Sequence, residues 1–411
     1  MFFKIKPGFI IWSDAEGYYQ YLPYAFIKFD ITHQAYAATL ENGMTLNKYT
    51  CGVALLEAPF FFIAHIYNKI FGLTANGFTY VYGISIWFAA ITYVYLGLVL
   101  LYKILRNWFH KAPSIIAVLA VYLCTNLFYY SHVQPGMSHA YSFFVLSLFV
   151  FSLDKLIRSP GIAISVLCGV SLGLALLIRP TNVFYVLLFL LFEIYSLMAL
   201  RARLRWMMKN AKYLFVILLL IFIVFIPQML YWHAVTGKYF VYSYAYSYGQ
   251  AETFEFWNAP KIGYVLFGVE SGWFIYSPIF FFFIAGILWM IFSGNKLWIA
   301  ILLLFVLILY ANASWWAYTF SCSYGHRAFI EYYPLFIIPV AFLLKKVFYM
   351  KRKFLLSITV FLIVVFAFVN IRMSQLYYKE SCWIRPGWTW EHYNRLLNKV
   401  FFIYPQNKSI K

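Results

Sequence analysis

Ten long apolar runs constrain this chain more than any other feature of its sequence. Each run is long enough for a helix to cross the roughly 30 Å of hydrocarbon in a bilayer. The runs are continuously apolar, without the alternation of barrel strands, and only helices then satisfy their backbone inside lipid. We therefore predict an all-α, polytopic membrane protein with helices over residues 78–102, 113–130, 137–156, 161–178, 182–200, 211–231, 274–293, 297–313, 328–344 and 354–371.

The composition agrees with this prediction. Hydrophobic residues make up 64% of the 411 residues and charged residues only 11%, whereas a soluble domain carries about 25% charged residues. The formal net charge is +19. In a membrane protein, an excess of Lys and Arg flanks the spans and orients them. No basic soluble face exists, so we expect no nucleic-acid partner.

The distribution of basic residues sets the orientation. Loops rich in Lys and Arg follow every second apolar run, and the positive-inside rule places these loops in the cytoplasm. The extracytoplasmic segments are then residues 13–77, 131–136, 232–273, 314–327 and 372–411. We predict one transmembrane domain over residues 1–371, in contact with membrane lipids, and a short extracytoplasmic tail rich in basic and aromatic residues over 372–411.

Residues 53–70 are apolar enough to suggest an eleventh span. Glu57, Pro59 and His65 argue against a lipid-exposed crossing, and a crossing would also place Asp14 in the cytoplasm. We interpret this segment as a helix lying along the outer membrane surface, within the first outer loop. The apolar residues 2–12 cover only half of a bilayer at about 1.5 Å per residue, and we expect them to be the end of a first helix whose beginning is missing.

Two acids follow this short apolar stretch, in the sequence Ser13-Asp14-Ala15-Glu16. A carboxylate at the edge of the bilayer is partly desolvated, which strengthens it as a base. The same residues are also typical of helix N-caps, with Ser13 or Asp14 as the capping residue. The sequence alone leaves both interpretations open.

Two further outer segments carry single cations. Lys48 and Tyr49 precede the predicted surface helix, and Arg179 stands before Pro180 at the end of a predicted span. Such cations commonly anchor a helix end to lipid headgroups. They are equally placed to neutralise the phosphate of a lipid-linked substrate, and both roles stay open.

The densest polar cluster follows a pair of tryptophans, Trp315 and Trp316, and contains His326, Arg327 and Glu331. A guanidinium forks onto a phosphate, and a neighbouring histidine adds a donor. Paired tryptophans stack on a sugar face or an isoprenoid, but they are also typical of interfacial anchors.

Together, these segments resemble the GT-C superfamily of membrane glycosyltransferases. The likeness is to bacterial relatives of glycosyltransferase family 39, which includes the protein O-mannosyltransferases and resembles the aminoarabinose transferases of lipid A. The elements that carry it occur in family order: Asp14–Tyr19, Lys48-Tyr49 with Gly52, Pro135–Phe143, Leu177–Asn182 and Trp315–Pro334.

The resemblance implies a transferase of the bacterial inner (plasma) membrane whose active site faces the cell envelope. It implies a polyprenyl-phosphate sugar donor, inversion at the anomeric carbon, and an acceptor that is a lipid, a glycan or a protein. Asp14 matches the general base, Lys48 matches the lysine that meets the carrier phosphate, and Arg327 matches the late-loop arginine. The remaining candidates are Glu16 for catalysis and Tyr49, Arg179, His326, Glu331, Trp315 and Trp316 for substrate binding.

Two departures from the family pattern affect these assignments. Thr50 stands where a proline is usual, and Ala15 separates two acids that are adjacent in the O-mannosyltransferases, so the role of Glu16 stays open. The cations suffice to stabilise the leaving group, and we assign no metal ligand. A divalent cation held by Asp14 and Glu16 stays an alternative.

Other function classes explain less of the sequence. A transporter, or a flippase for lipid-linked saccharides, would need internal repeats and ionisable residues deep in several spans. A scaffold protein would leave the outer polar cluster without a role. We therefore predict a glycosyltransferase that depends on a lipid-linked sugar.

Overall fold

The computed structural model describes residues 10–192, 194–246, 252–320, 323–350, 352–380 and 388–402. The helices in chain order are α1 (Asp14–Tyr19), α2 (Tyr21–Phe26), α3 (Gly52–Ile70), α4 (Tyr80–Arg106), α5 (Lys111–Leu123), α6 (Leu127–His132), α7 (Ser138–Arg158), α8 (Ile162–Ile178), α9 (Leu188–Leu191), α10 (Leu197–Lys209), α11 (Ala211–Thr236), α12 (Ile262–Phe267), α13 (Trp273–Tyr276), α14 (Phe281–Phe292), α15 (Leu297–Ser314), α16 (Tyr333–Tyr349), α17 (Lys353–Glu380) and α18 (Trp390–Phe401).

Short elements connect these helices. Within the ranges given above, four segments form 3₁₀ helices, namely Pro180–Leu187, Ser243–Tyr246, Pro278–Phe280 and Arg327–Tyr332. A small antiparallel hairpin of β1 (Ala38–Thr39) and β2 (Thr45–Leu46) lies between α2 and α3, with Ala38 opposite Leu46.

The predicted all-α, polytopic architecture is confirmed. Among the described residues, seven helices are long and apolar enough to cross a membrane: Gly52–Ile70, Tyr80–Arg106, Ser138–Arg158, Ala211–Thr236, Leu297–Ser314, Arg327–Tyr349 and Lys353–Glu380. Shorter apolar helices cover Lys111–Leu123, Ile162–Ile178, Pro180–Leu191 and Pro278–Phe292. Because α3 meets the criteria of a span, its position along the membrane surface stays a prediction.

One predicted span is wrong as a continuous helix, namely residues 182–200. A 3₁₀ helix begins at Pro180, and the backbone is extended at Phe192 after the short α9. Ser196 then caps α10 by accepting a hydrogen bond from the Ala199 amide at 3.1 Å. The apolar run signals burial, but capping and turn residues decide where the helical backbone is interrupted.

Two other predicted spans also break. In 113–130, Thr125 separates α5 from α6, and its hydroxyl accepts a hydrogen bond from the Leu127 amide at 3.2 Å. In 274–293, a short 3₁₀ helix that begins at Pro278 separates α13 from α14. Each break lies near one end of its run, at the residues that connect the helices, so the ends of these two runs are irregular.

Packing sorts the helices into central and peripheral ones. Helices α7 and α16 are mostly buried among other helices, whereas α11 and α17 expose apolar side chains such as Phe222 and Phe361. Helix α14 packs closely on α16. At Gly286 the two backbones lie so near each other that an added Cβ would overlap the carbonyl of Pro339. Small residues at such contacts let two helix backbones approach each other, which is how helices associate in membranes.

The ends of several helices meet on one side of the bundle. The start of α7 and the end of α8 lie together there, because the two helices are antiparallel neighbours. The start of α1, the loop between β2 and α3, the chain after α11 and the end of α15 reach the same place, since their residues line one cavity. The polar outer segments of the sequence therefore converge.

Candidate active site

A cavity of about 510 Å³ opens where these segments meet. Seven candidate residues line it: Asp14, Lys48, Tyr49, Arg179, Trp315, Trp316 and Arg327. Glu16, His326 and Glu331 do not line it. The structure therefore brings most of the predicted site together, although these residues span more than three hundred positions of the chain.

Asp14 begins α1, but its carboxylate does not cap that helix. Ser13, the N-cap residue, has a φ of 55° and makes no capping hydrogen bond through its side chain. The Asp14 carboxylate instead accepts a hydrogen bond from the phenol of Tyr49 at 2.6 Å and pairs with the guanidinium of Arg327 at 3.2 Å. Both carboxylate oxygens are therefore oriented by residues of the cavity rather than by the helix.

The Tyr49 ring reaches Asp14 because α1 presents a glycine to it. A Cβ at Gly17 would overlap the Tyr49 ring. The buried Asn47 fixes this loop. Its side-chain NH₂ group donates to the Gly17 carbonyl at 2.7 Å, and its side-chain oxygen accepts a hydrogen bond from the backbone N–H of Tyr49 at 3.0 Å. This arrangement makes Tyr49 a rigid donor toward Asp14.

Lys48 lies in the same loop and forms an ion pair that the sequence did not reveal. Its ammonium lies 2.7 Å from a carboxylate oxygen of Glu252, and both side chains are mostly buried. The hydroxyl of Ser243 donates to the Lys48 carbonyl at 2.7 Å, which ties the loop to the segment after α11. Lys48 is therefore held at the cavity rather than extended toward lipid.

Arg179 is held by a buried carboxylate behind the cavity. The guanidinium of Arg179 lies 3.1 Å from Glu331, and Nδ1 of His139 lies 3.1 Å from the same carboxylate oxygen. The side chain of Glu331 is 1% exposed, whereas that of Arg179 is 16% exposed. Glu331 was expected to contact substrate, but the structure places it one layer deeper, where it orients Arg179.

Arg327 and Arg179 share one aromatic neighbour. The central carbon of each guanidinium lies 5.7 Å from the centre of the Phe320 ring, a distance at which cations are attracted to aromatic faces. The phenol of Tyr18 lies among the same charges, and burial raises its pKa. Phe320 and Tyr18 thus give the two cations a partly dry surrounding, which strengthens their interaction with an anion.

The two tryptophans form an aromatic wall. Trp315 packs edge-to-face against Tyr244 and Phe254, with ring centres 6.2 and 5.1 Å apart, and Trp316 is 40% exposed. Both line the cavity. An exposed aromatic face next to charged groups suits a ligand that has an apolar and a polar part.

Two candidates lie away from the cavity, contrary to expectation. Glu16 is on the other side of α1 from Asp14, and partial burial raises its pKa. His326 is fully buried, and its Nε2–H donates to the carbonyl of Tyr318 at 3.1 Å. Burial lowers the pKa of His326 to about 3, so the ring is neutral and supports the loop rather than a phosphate.

Several lining residues were not predicted from the sequence. Glu252 and Glu255 belong to the loop after α11, which has no recognisable motif, so no pattern distinguished them from solvated acids. Tyr244 was one of many tyrosines in the same loop. His139 was not predicted either, although it lies in the segment Pro135–Phe143 that carried the family resemblance, and that signal could have indicated it.

The residues present do not fit a divalent cation held by Asp14 and Glu16. Asp14 already accepts from Tyr49 and pairs with the positive Arg327, and Glu16 does not line the cavity. Within the described part of the chain, no three His, Cys, Asp or Glu side chains form a metal-binding group. We derive no chemical step from a metal.

No protein-family model matches the sequence, and no curated protein matches it either. Among solved structures, the Archaeoglobus fulgidus oligosaccharyltransferase in complex with Zn and sulfate has a TM-score of 0.52 and 15% identity, and the alignment covers 98% of this chain and 54% of that chain. The archaeal oligosaccharyltransferase AglB of the same organism, in complex with an inhibitory peptide and a dolichol-phosphate, has a TM-score of 0.50 and 14% identity, with 99% and 56% covered.

ArnT from Cupriavidus metallidurans in the apo state is also similar, with a TM-score of 0.49, 13% identity, and coverage of 94% of this chain and 68% of that chain. The chain spans about half the length of the two archaeal structures. At these identities the likeness concerns the fold alone. This chain shares the helical fold of the two archaeal oligosaccharyltransferase structures.

Proposed function

We propose that this chain is a glycosyltransferase that moves a sugar from a polyprenyl-phosphate carrier to an acceptor hydroxyl. The observation that carries the proposal is the cavity itself, where an oriented carboxylate and three cationic side chains face one aromatic-walled space. The fold supports it, because one protein with this fold was solved with a dolichol-phosphate. A carboxylate and cations are the groups that proton removal and phosphate departure require.

In the proposed reaction, Asp14 is the general base. Its carboxylate takes the proton of the acceptor hydroxyl while the hydroxyl oxygen forms a bond to the anomeric carbon of the donor. The bond between that carbon and the phosphate oxygen breaks, and its electron pair leaves with the phosphate. Attack opposite the departing phosphate inverts the anomeric configuration. Tyr49 and Arg327 support the orientation of the base, because each holds one of its oxygens.

The cations would stabilise the charge that grows on the lipid phosphate. A guanidinium carries five N–H donors, and the contact with Asp14 that the structure shows for Arg327 leaves others to reach a phosphate. Arg327, Lys48 and Arg179 together form a clamp of three cations for the phosphate. Lys48 and Arg179 each have a carboxylate partner, respectively Glu252 and Glu331, so each is positioned before the donor arrives. Preorganised charges of this kind lower a barrier more than mobile ones do.

We further propose that the cavity faces the extracytoplasmic side, as the distribution of Lys and Arg indicates. In a background without the native cysteines, single cysteines at the exposed positions 33 and 238 should then react with an impermeant thiol reagent in intact cells, whereas cysteines at the exposed positions 205 and 352 should not. Labelling of position 205 without labelling of position 238 would reverse the orientation and exclude an outward-facing site.

The activity can be tested with purified protein and a panel of radiolabelled polyprenyl-phosphate sugars, by following release of the free carrier. Lys48→Ala and Arg327→Ala should each lower kcat/KM for the donor by an amount equivalent to about 1.5–3 kcal/mol, the usual contribution of a hydrogen bond to a charged group. Lys261→Ala is the matched control, since its ammonium lies over the Phe256 ring at 4.6 Å and does not line the cavity. Unchanged donor affinity and turnover in both cavity variants would make these cations lipid anchors.

A further inference from the structure

A second cavity of about 350 Å³ lies beside the first. The segment between α15 and the following 3₁₀ helix separates the two, because Trp316 and Ala317 line the first cavity and Tyr318 and Thr319 line the second. The remaining walls come from α12 and the turn that follows it, together with the first residue of α18, Trp390. No role in the proposed reaction has been given to these residues.

The dividing segment is fixed in place at several points. The carbonyl of Tyr318 accepts a hydrogen bond from the buried His326 at 3.1 Å, and the amide of Trp316 donates to the Thr253 carbonyl at 3.0 Å. The Tyr318 ring packs against Phe256 and Tyr264, with ring centres 5.4 and 5.7 Å apart. A ligand in the second cavity would therefore lie against a wall whose other face borders the site of transfer.

The second cavity combines exposed aromatic faces with hydroxyl and carboxylate groups. Tyr264 and Trp390 are 60% and 49% exposed. Glu270 and Thr319 add polar groups, and the lining residue Ser271 is buried with a hydroxyl that has no hydrogen-bond partner among the described residues. A buried hydroxyl without a partner costs free energy, which a ligand with donors and acceptors of its own can recover.

This set of groups matches the chemistry of a saccharide. A pyranose ring has an apolar face of C–H groups that packs on an aromatic ring, and an edge of hydroxyls that bonds to carboxylate and hydroxyl oxygens. Ligand sites are commonly aromatic pockets in which a few polar groups fix the orientation. A lipid tail would use the aromatic faces but would make no hydrogen bond to Glu270, Ser271 or Thr319.

We propose that the second cavity is an acceptor subsite that binds a sugar unit of a glycan acceptor, with Glu270 and Trp390 as its main contacts. This inference rests on the proposed transfer reaction, because a sugar bound here is an acceptor only if a sugar is transferred in the neighbouring cavity. It narrows the acceptor from a lipid, a glycan or a protein to a molecule that presents a saccharide.

Binding of neutral trisaccharides to the full-length protein in nanodiscs tests the subsite without any turnover. Cellotriose, maltotriose and mannotriose are the probes, and calorimetry gives their dissociation constants. We expect at least one to bind. We expect Glu270→Gln to weaken that binding by about tenfold through loss of one charge-assisted hydrogen bond, and Trp390→Ala to weaken it by about tenfold through loss of one aromatic face. Trp257→Ala is the matched control, because Trp257 is an exposed tryptophan outside both cavities.

The results separate this inference from the proposed function. Absence of binding by all three trisaccharides, or binding that Glu270→Gln and Trp390→Ala leave unchanged, would overturn the subsite even if the wild-type protein releases carrier from a polyprenyl-phosphate sugar. Binding that depends on both residues, in a protein that turns over no such donor, would support a saccharide site and overturn the transfer reaction.

Discussion

Replacement of Asp14 by Asn tests the proposed chemistry most directly. Asn has nearly the shape of Asp, and its amide oxygen still accepts the hydrogen bond from Tyr49, but it takes no proton at working pH. Since Asp14 does not cap α1 in the structure, the substitution changes the cavity and leaves the helix start unaltered. It therefore separates a base from a structural residue.

The expected magnitudes differ between activity and stability. Loss of a general base lowers turnover by about 10²–10⁴-fold, which corresponds to roughly 3–5 kcal/mol in the activation free energy. The ion pair with Arg327 is lost as well. Because the two side chains are only 17% and 27% exposed, this leaves a mostly buried guanidinium without its charged partner and costs about 1–3 kcal/mol of folding free energy. Asp14→Asn should thus unfold at a somewhat lower temperature than the wild type but still fold and bind donor, while its turnover nearly disappears.

The assay compares carrier release, donor affinity and thermal unfolding for three variants in detergent. Tyr49→Phe keeps the base and removes one hydrogen bond, so its turnover should fall by about tenfold or less. Glu16→Gln is the matched carboxylate control on the same helix, and its turnover should stay near that of the wild type. Near-normal turnover of Asp14→Asn would refute the assignment, and loss in Glu16→Gln instead would make Glu16 the base.

Three further predictions concern the clamp, the buried charge and the helix packing. Arg327→Lys should recover only part of the donor affinity that Arg327→Ala loses, because lysine does not reproduce the fork; equal affinity for Lys and wild type in a donor-binding assay would contradict a bidentate contact. Glu331→Gln should destabilise the fold by about 3 kcal/mol by leaving the Arg179 charge without its buried partner, and an unchanged unfolding temperature would show that water or another group compensates. Gly286→Ala should lower the free energy of unfolding by about 1–3 kcal/mol by forcing α14 away from α16. Gly263→Ala, whose Cβ would meet no atom within 4 Å, should leave the free energy of unfolding unchanged. Equal stability of the two variants would argue against the close contact.

The fold was largely predictable because apolar runs report the bilayer directly. Most predicted spans correspond to helices, and the order of the motifs along the chain indicated the fold. The interruption of 182–200 was not predictable from hydrophobicity, since the run stays apolar through the 3₁₀ helix and Glu193 is its only charged residue. The position of α3 relative to the membrane also depends on what covers it, which its composition does not decide.

The convergence of the candidate residues was predictable where they lie in recognisable segments. Asp14, Lys48 and Arg327 were identified by charge in aromatic surroundings and by order along the chain, and all three line one cavity. The partner of Lys48 was not identified, because Glu252 lies far away in sequence in a loop without a motif. His326 was predicted to bind substrate because it adjoins Arg327 in the sequence. A sequence does not show which of two adjacent side chains points into the protein.

The contact between Asp14 and Arg327 joins residues that are 313 positions apart. Under the proposed function, the base is therefore synthesised first and its guanidinium partner only after most of the helices. A chain truncated before Arg327 would keep Lys48 and Arg179 but lack the contact with Asp14, so we expect activity only once the bundle is nearly complete. The same geometry predicts the behaviour of a protein made as two separate pieces divided between α11 and α12. Such pieces would regain turnover only when they reassemble, so enzymatic activity would measure how membrane helices associate.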